Sequence, residues 1–233
     1  MADYLPVPAG THPPNHSPTY RSTALRAPQL PAIRLPASAL EYAGPQVGAA
    51  HLQPGGADLT AGGKAQGQRI LIHGRISDEQ NRPVAHSLVE IWQANAAGRY
   101  RHDGDQHDAP LDPHFSGAGR VLTNANGEYE FLSIEPGAYP WGNHANAWRP
   151  KHVHFSLFGP AWASRLVTQM YFEGDPLLPL DPIFMSVPDA AARRRLVAPF
   201  DVSRTQPGFA LAWRFDIVLR GPQDTPFESA PHG

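Results

Sequence analysis

The pair His152-Val153-His154 is the first feature of the sequence with chemical potential. In an extended chain, residues i and i+2 project from the same face. His152, His154, Ser156 and Phe158 would therefore share one side of a strand, with Val153, Phe155 and Leu157 on the other. Two imidazoles side by side on a rigid strand form a ready bidentate metal site; in a chain with 12 histidines the same spacing also arises by chance. The chain has no cysteine, so further ligands must be nitrogen or oxygen donors. No acid follows His154 before Glu173, and no His-Glu-x-x-His pattern occurs, which leaves the histidine–carboxylate and zinc-hydrolase arrangements without local support. Two tyrosines stand upstream in glycine- and proline-rich turns: Tyr100 in Gly98-Arg99-Tyr100-Arg101-His102, and Tyr139 in Pro136-Gly137-Ala138-Tyr139-Pro140-Trp141. A free phenol titrates at about 10, so binding it as phenolate at neutral pH needs a strong Lewis acid. Two phenolates and two imidazoles favour a ferric ion over zinc or ferrous iron. Each tyrosine taken singly also fits a hydroxyl that caps a turn.

The elements that must position these side chains follow from composition and periodicity. Among 233 residues there are 26 prolines and 21 glycines, a density that argues against a helical bundle. The formal net charge is −2, which gives no electrostatic case for a nucleic-acid or anionic-membrane partner. No apolar run approaches the roughly 20 residues that span a bilayer. The first ten residues lack a basic-then-apolar leader, so a cytoplasmic location is expected. Residues 1–67 are rich in Pro, Gly and Ala without sustained periodicity, yet carry Tyr4, Tyr20, Leu25, Ile33, Leu35, Leu40 and Tyr42. They are expected to form an extended arm packed on the core or on a partner subunit. Residues 68–233 read as short strands: Ile70, Ile72, Gly74 and Ile76 in alternation, Val84 to Gln93, Glu128 to Phe131 after the Asn126-Gly127 turn signal, His152 to Phe158, Leu166 to Phe172, and a last strand over Leu211 to Leu219. Pro188 to Ala198 is the one helical stretch. The expected fold is all-β: an antiparallel β-sandwich core with a long irregular N-terminal arm and one short helix.

Several segments together resemble one family. Leu88-Val89-Glu90-Ile91-Trp92-Gln93-Ala94-Asn95, the Tyr100 turn, Pro140-Trp141, Trp148-Arg149-Pro150-Lys151-His152-Val153-His154-Phe155 and Gln169-Met170-Tyr171-Phe172-Glu173-Gly174-Asp175-Pro176 look like the intradiol ring-cleavage dioxygenases. The joint spacing also matches, with 39 residues from Tyr100 to Tyr139, 13 more to His152 and two more to His154. The likeness runs from about Pro18 to Phe227.

That resemblance implies one non-haem Fe(III) per chain, held by Tyr100, Tyr139, His152 and His154, with Tyr139 the phenolate displaced when a catechol chelates the metal. It implies that Arg149 stabilises negative charge on the substrate ring with Gln169 beside it. Trp141 and Ile183 would wall the pocket, and Tyr20, in Ser17-Pro18-Thr19-Tyr20-Arg21, would contact a substrate carboxylate. The expected reaction is cleavage of protocatechuate by O2 between its hydroxyls, giving 3-carboxy-cis,cis-muconate. The chain would be the iron-bearing β subunit, partnered by a homologous α subunit in an αβ protomer and a higher oligomer. Catechol or hydroxyquinol are alternative substrates. A non-catalytic β-sandwich binding module with structural histidines is the alternative from another class, against which the quartet spacing argues.

Overall fold

The computed structural model describes residues 7–28, 30, 56–142, 147–158 and 165–227. Its strands are β1 (Arg69–Ser77), β2 (Leu88–Trp92), β3 (Ala118–Leu122), β4 (Glu128–Ile134), β5 (Tyr139–Pro140), β6 (Trp148–Arg149), β7 (His152–Phe158), β8 (Arg165–Phe172), β9 (Val197–Ala198), β10 (Leu211–Arg214) and β11 (Ile217–Val218). Among the described residues three short α-helices accompany them, α1 (Thr23–Arg26), α2 (Pro182–Met185) and α3 (Ala190–Arg194), with a 3-10 turn at Leu178–Leu180.

The alternation that marks β1 in the sequence is the alternation it buries: Ile70, Ile72 and Ile76 are fully inaccessible. β1 centres a four-stranded sheet, antiparallel to β4 and parallel to both β10 and β11. The second sheet runs β3-β2-β7-β8-β9, antiparallel until the parallel β8–β9 pair. Ile70, Ile72 and Phe131 from the first sheet meet Val89, Ile91, Val153 and Phe155 from the second in one apolar core. The result is the expected all-β sandwich, with mixed rather than purely antiparallel sheets.

Three expectations shift in detail. The last strand is broken between Arg214 and Ile217, because the backbone N–H of Phe215 donates to His73 O at 2.8 Å and its carbonyl accepts the Tyr129 hydroxyl at 2.5 Å. Gly74 permits this crossing: a Cβ there would lie 1.8 Å from the Phe215 carbonyl oxygen. The helix expected over Pro188 to Ala198 is confined to α3, capped by the Asp189 carboxylate on Ala192 N. The chain then turns into β9 because Leu196 O accepts from Tyr171 N at 2.8 Å. α1 and α2 are single turns too short to leave a periodic signature. The Asn126-Gly127 turn is present, but it carries the chain from β3 in one sheet to β4 in the other.

Within residues 7–28, Gly10 and His12 meet later parts of the chain. Gly10 O accepts from Asp189 N at 2.9 Å, His12 Nε2 is 2.7 Å from Asp224 Oδ2, and the His12 ring sits edge-on to Phe227. Tyr4, Ile33, Leu35, Leu40 and Tyr42 fall outside the described residues.

Candidate metal centre and substrate cavity

Strand register sets the first half of the site. In the β2–β7–β8 ladder, His154 lies opposite Trp92 on one side and Gln169 on the other, and His152 lies opposite Tyr171. Trp92 and His154 stack in parallel, 4.7 Å between ring centres. The His152 Nδ1 is 2.7 Å from Pro150 O. A carbonyl only accepts, so Nδ1 carries the proton and Nε2 presents its lone pair.

The tyrosines arrive on turns laced together by Asn95. Its side-chain oxygen accepts from Ala97 N and Arg99 N, its backbone carbonyl from Gly98 N and Gly137 N, and its amide donates to Pro110 O. Gly98, at φ +77°, packs so closely on the Tyr139 turn that a Cβ would lie 2.3 Å from Ala138 O. Tyr100 N then donates to Asp105 Oδ2 at 2.7 Å, fixing the far side of its turn. On the other strand pair, the β5–β6 register places Tyr139 opposite Arg149.

These elements bring Tyr100, Tyr139, His152 and His154 together. Tyr100 Oη is 3.3 Å from His152 Nε2 and 3.1 Å from His154 Nε2, and Tyr139 Oη is 3.4 Å from His152 Nε2. Burial, with the Arg149 charge adding to it, pushes the His154 imidazole down to about 3. Burial, then Arg149 and His154, likewise holds His152 well below the usual histidine range. Both are neutral, which is the ligating form. Burial first and Tyr139 second push the Tyr100 phenol well above its ordinary value, so only a strong local cation would remove its proton.

Two phenols and two neutral imidazoles within 3.1–3.4 Å of one another are hard oxygen and borderline nitrogen donors close enough together to hold one metal ion. Among the described residues no cluster of three or more His, Cys, Asp or Glu side chains converges. A metal at this point therefore depends on the phenols.

Arg149 borders the cluster and is itself buried, at 3% exposure. Its guanidinium pairs with Asp181 through Nε at 3.0 Å and Nη2 at 3.1 Å, donates from Nη2 to Gln169 Oε1 at 2.6 Å and to Tyr171 Oη at 3.2 Å, and points Nη1 at Tyr139 Oη at 3.5 Å. Burial works against its proton, but Tyr171, Asp181 and Tyr139 outweigh it and raise its proton affinity further. A cavity of about 340 Å³ opens here, and Tyr20, Trp141, Arg149, Gln169, Ile183 and His154 all line it. The Tyr20 ring meets Trp141 edge-on at 5.3 Å. A second cavity, about 870 Å³, reaches the cluster from the side of Tyr100 and Tyr139 and shares Trp92, Trp141 and His154 with the first.

The structure thus brings Tyr100, Tyr139, His152 and His154 into one contact cluster, and Tyr20, Trp141, Arg149, Gln169 and Ile183 to a cavity that His154 also lines. Two that matter there were missed, Tyr171 and Asp181. Asp181-Pro182 carried a signal, a capping acid before a first-turn proline, but that signal announces a helix start and not an arginine partner.

Comparison with known proteins follows the same line. Residues 43–221 match the dioxygenase family, and residues 6–38 match the N-terminal family of the protocatechuate 3,4-dioxygenase beta subunit. The chain is 55% identical to the protocatechuate 3,4-dioxygenase beta chain of Burkholderia cepacia over 94% of each. It is 35% identical to catechol 1,2-dioxygenase 1 of Acinetobacter lwoffii over 63% of this chain and 47% of that protein. In three dimensions it resembles the dioxygenase domain of a carbohydrate-binding fusion from Streptomyces sp. SirexAA-E, with TM-score 0.53 and 25% identity over 71% of this chain and 87% of that one. The fold is shared with 3-chlorocatechol 1,2-dioxygenase of Rhodococcus opacus 1CP, with TM-score 0.55 and 23% identity over 70% and 64%. No helix among the described residues is long and apolar enough to cross a membrane. With a family match over residues 43–221 and a relative 55% identical along 94% of each chain, the protein belongs to the intradiol dioxygenase family.

Proposed function

We propose that this chain is the iron-bearing β subunit of an enzyme that cleaves protocatechuate with O2 between its two hydroxyls, yielding 3-carboxy-cis,cis-muconate. Both oxygen atoms enter the product, so the reaction needs no external reductant. Tyr100, Tyr139, His152 and His154 would hold one Fe(III), which when bound supplies the Lewis acidity that keeps phenolates ionised and templates the diol. Tyr139 Oη, within reach of Arg149 Nη1, is the group that takes up a proton as the diol arrives. Arg149 offers a permanent positive charge to the negative charge that develops on the ring. Trp141 and Ile183 exclude water from the cavity, Gln169 holds Arg149 Nη2, and Tyr20 faces the substrate's carboxylate. A homologous α subunit would complete the carboxylate pocket, and the assembly would work in the cytoplasm.

The observation that carries this reading is the convergence of four donors, one of which, His154, lines the same cavity as Arg149. The N-terminal match over residues 6–38 favours protocatechuate over catechol or hydroxyquinol, because that stretch brings Tyr20 to the cavity. The test is purified enzyme, co-expressed with its α subunit and loaded with ferric iron. It should be red-brown from phenolate-to-iron charge transfer and should consume O2 faster on protocatechuate than on catechol. Tyr100→Phe should weaken the band and abolish turnover. Colourless iron-loaded protein, or a Tyr100→Phe variant with both properties intact, would sink the ligand assignment.

A further inference from the structure

We infer that Asp181 is a positioning residue for this reaction: its buried carboxylate fixes the direction in which Arg149 presents its charge and, through the same two oxygens, the seat of α2 beside the cavity. The inference rests on the function proposed above and adds to it a residue behind the reacting groups.

The geometry points one way. Asp181 is fully inaccessible and grips Arg149 at two points, Oδ1 to Nε at 3.0 Å and Oδ2 to Nη2 at 3.1 Å. A free arginine side chain samples many rotamers; a planar fork locked by a carboxylate keeps one. Locking Nε and Nη2 leaves Nη1 as the nitrogen aimed at Tyr139 Oη. Gln169 and Tyr171 brace the same Nη2, and Tyr171 Oη lies 3.2 Å from Asp181 Oδ2. The carboxylate also accepts from Ile183 N at 3.4 Å and Phe184 N at 3.3 Å, capping α2. Ile183 lines the cavity whereas Asp181 does not. One acid therefore couples the cation and the apolar wall without touching what the cavity holds.

Stability alone is a weak reason for such a pair. Replacing a buried ion pair by well-packed apolar groups is often neutral or stabilising, because desolvation offsets the attraction. A pair that also sets where a charge points has a further reason to be present.

The test uses the co-expressed, iron-loaded enzyme, and the parent is measured first. A parent with no phenolate band and no turnover would defeat the proposed function itself, so the present inference is judged on variant-to-parent ratios. Two variants separate the carboxylate's tasks. D181N keeps the shape but not the charge, and D181S keeps a cap for α2 but cannot reach Arg149. In both, iron content and the phenolate band should match the parent, because the four donors are untouched. Their kcat should fall on the order of 10²-fold while KM stays within about threefold. With Arg149→Lys already present, adding D181N should cost less than about threefold more, since the two act through one contact. The inference is overturned if kcat in D181N stays within about threefold of the parent, or if the double variant shows the full product of both losses. It is also overturned if neither variant folds, which would make the carboxylate a determinant of the fold.

Discussion

Gly98→Ala should separate the tyrosine turns from each other. The new Cβ would stand 2.3 Å from Ala138 O and 3.2 Å from Tyr139 Cβ, at a backbone φ of +77°. Carbon and oxygen are in ordinary contact at about 3.3 Å, so the Tyr139 turn must retreat by about 1 Å. The left-handed backbone costs about 1 kcal/mol for alanine, and overpacking adds about 1–3 kcal/mol. Gly208→Ala isolates the first contribution, because φ there is +74° and nothing lies within 4 Å of the added carbon. For a chain of this size each kcal/mol moves Tm by about 2–4 °C. The Gly98 variant should therefore melt several degrees below the Gly208 variant. The retreat also widens the 3.4 Å approach of Tyr139 Oη to His152 Nε2, and a displacement of this size costs on the order of 10²-fold in turnover. Melting curves, the phenolate band and O2 uptake on the two enzymes check all of this. Equal melting points with an unchanged band would refute the claim that this contact sets the spacing of the phenols.

Two further outcomes are expected. Burial, aided by the Asp216 charge, holds the Tyr129 phenol well above its ordinary value. The folded chain thus keeps a proton that the unfolded chain releases above about pH 10, so the stability from this group is complete below that pH. It declines by about 1.4 kcal/mol per pH unit as pH rises further. Tyr129→Phe should flatten the alkaline limb of a Tm-versus-pH curve by one proton's worth, and an identical slope would contradict the assignment. His12→Ala removes the 2.7 Å partner of the buried Asp224, at a cost of about 1–3 kcal/mol. Trypsin should then cut after Arg21 faster than in the parent, and KM should rise more than kcat falls, because Tyr20 lies on the released segment; unchanged digestion would show that the clamp is elsewhere.

What could be read from the sequence depended on how far apart the interacting residues lie. His152 and His154 share a face because a strand repeats every two residues, and that rule needs no knowledge of the rest of the fold. Tyr100 and Tyr139 are joined to them by register between strands and by Asn95, so in the sequence their pairing with the histidines rested on the resemblance to a known family. Asp181 sits 32 residues from Arg149, and nothing local marks it as that arginine's partner. The parallel pairing of β10 with β1 links Leu211 to Ile70, a contact that no periodicity encodes. The break at Phe215 was hidden for a related reason: the alternation from Leu211 to Leu219 continues through it, while the cause is a pair of hydrogen bonds to His73 and Tyr129 that Gly74 leaves room for.

Part of the wall of the smaller cavity comes from two stretches far apart in the chain, Pro13, Tyr20 and Ser22 in one and Pro226 and Phe227 in the other, joined by the pair His12 and Asp224. The four donors come from β7 and from the Asn95-laced turns. In the proposed enzyme the metal would be held by one part of the chain, and residues 13–22 would add a separate stretch that meets the ring. Substitutions in residues 13–22 would then shift which ring substituents the proposed enzyme accepts while the donors stay as they are.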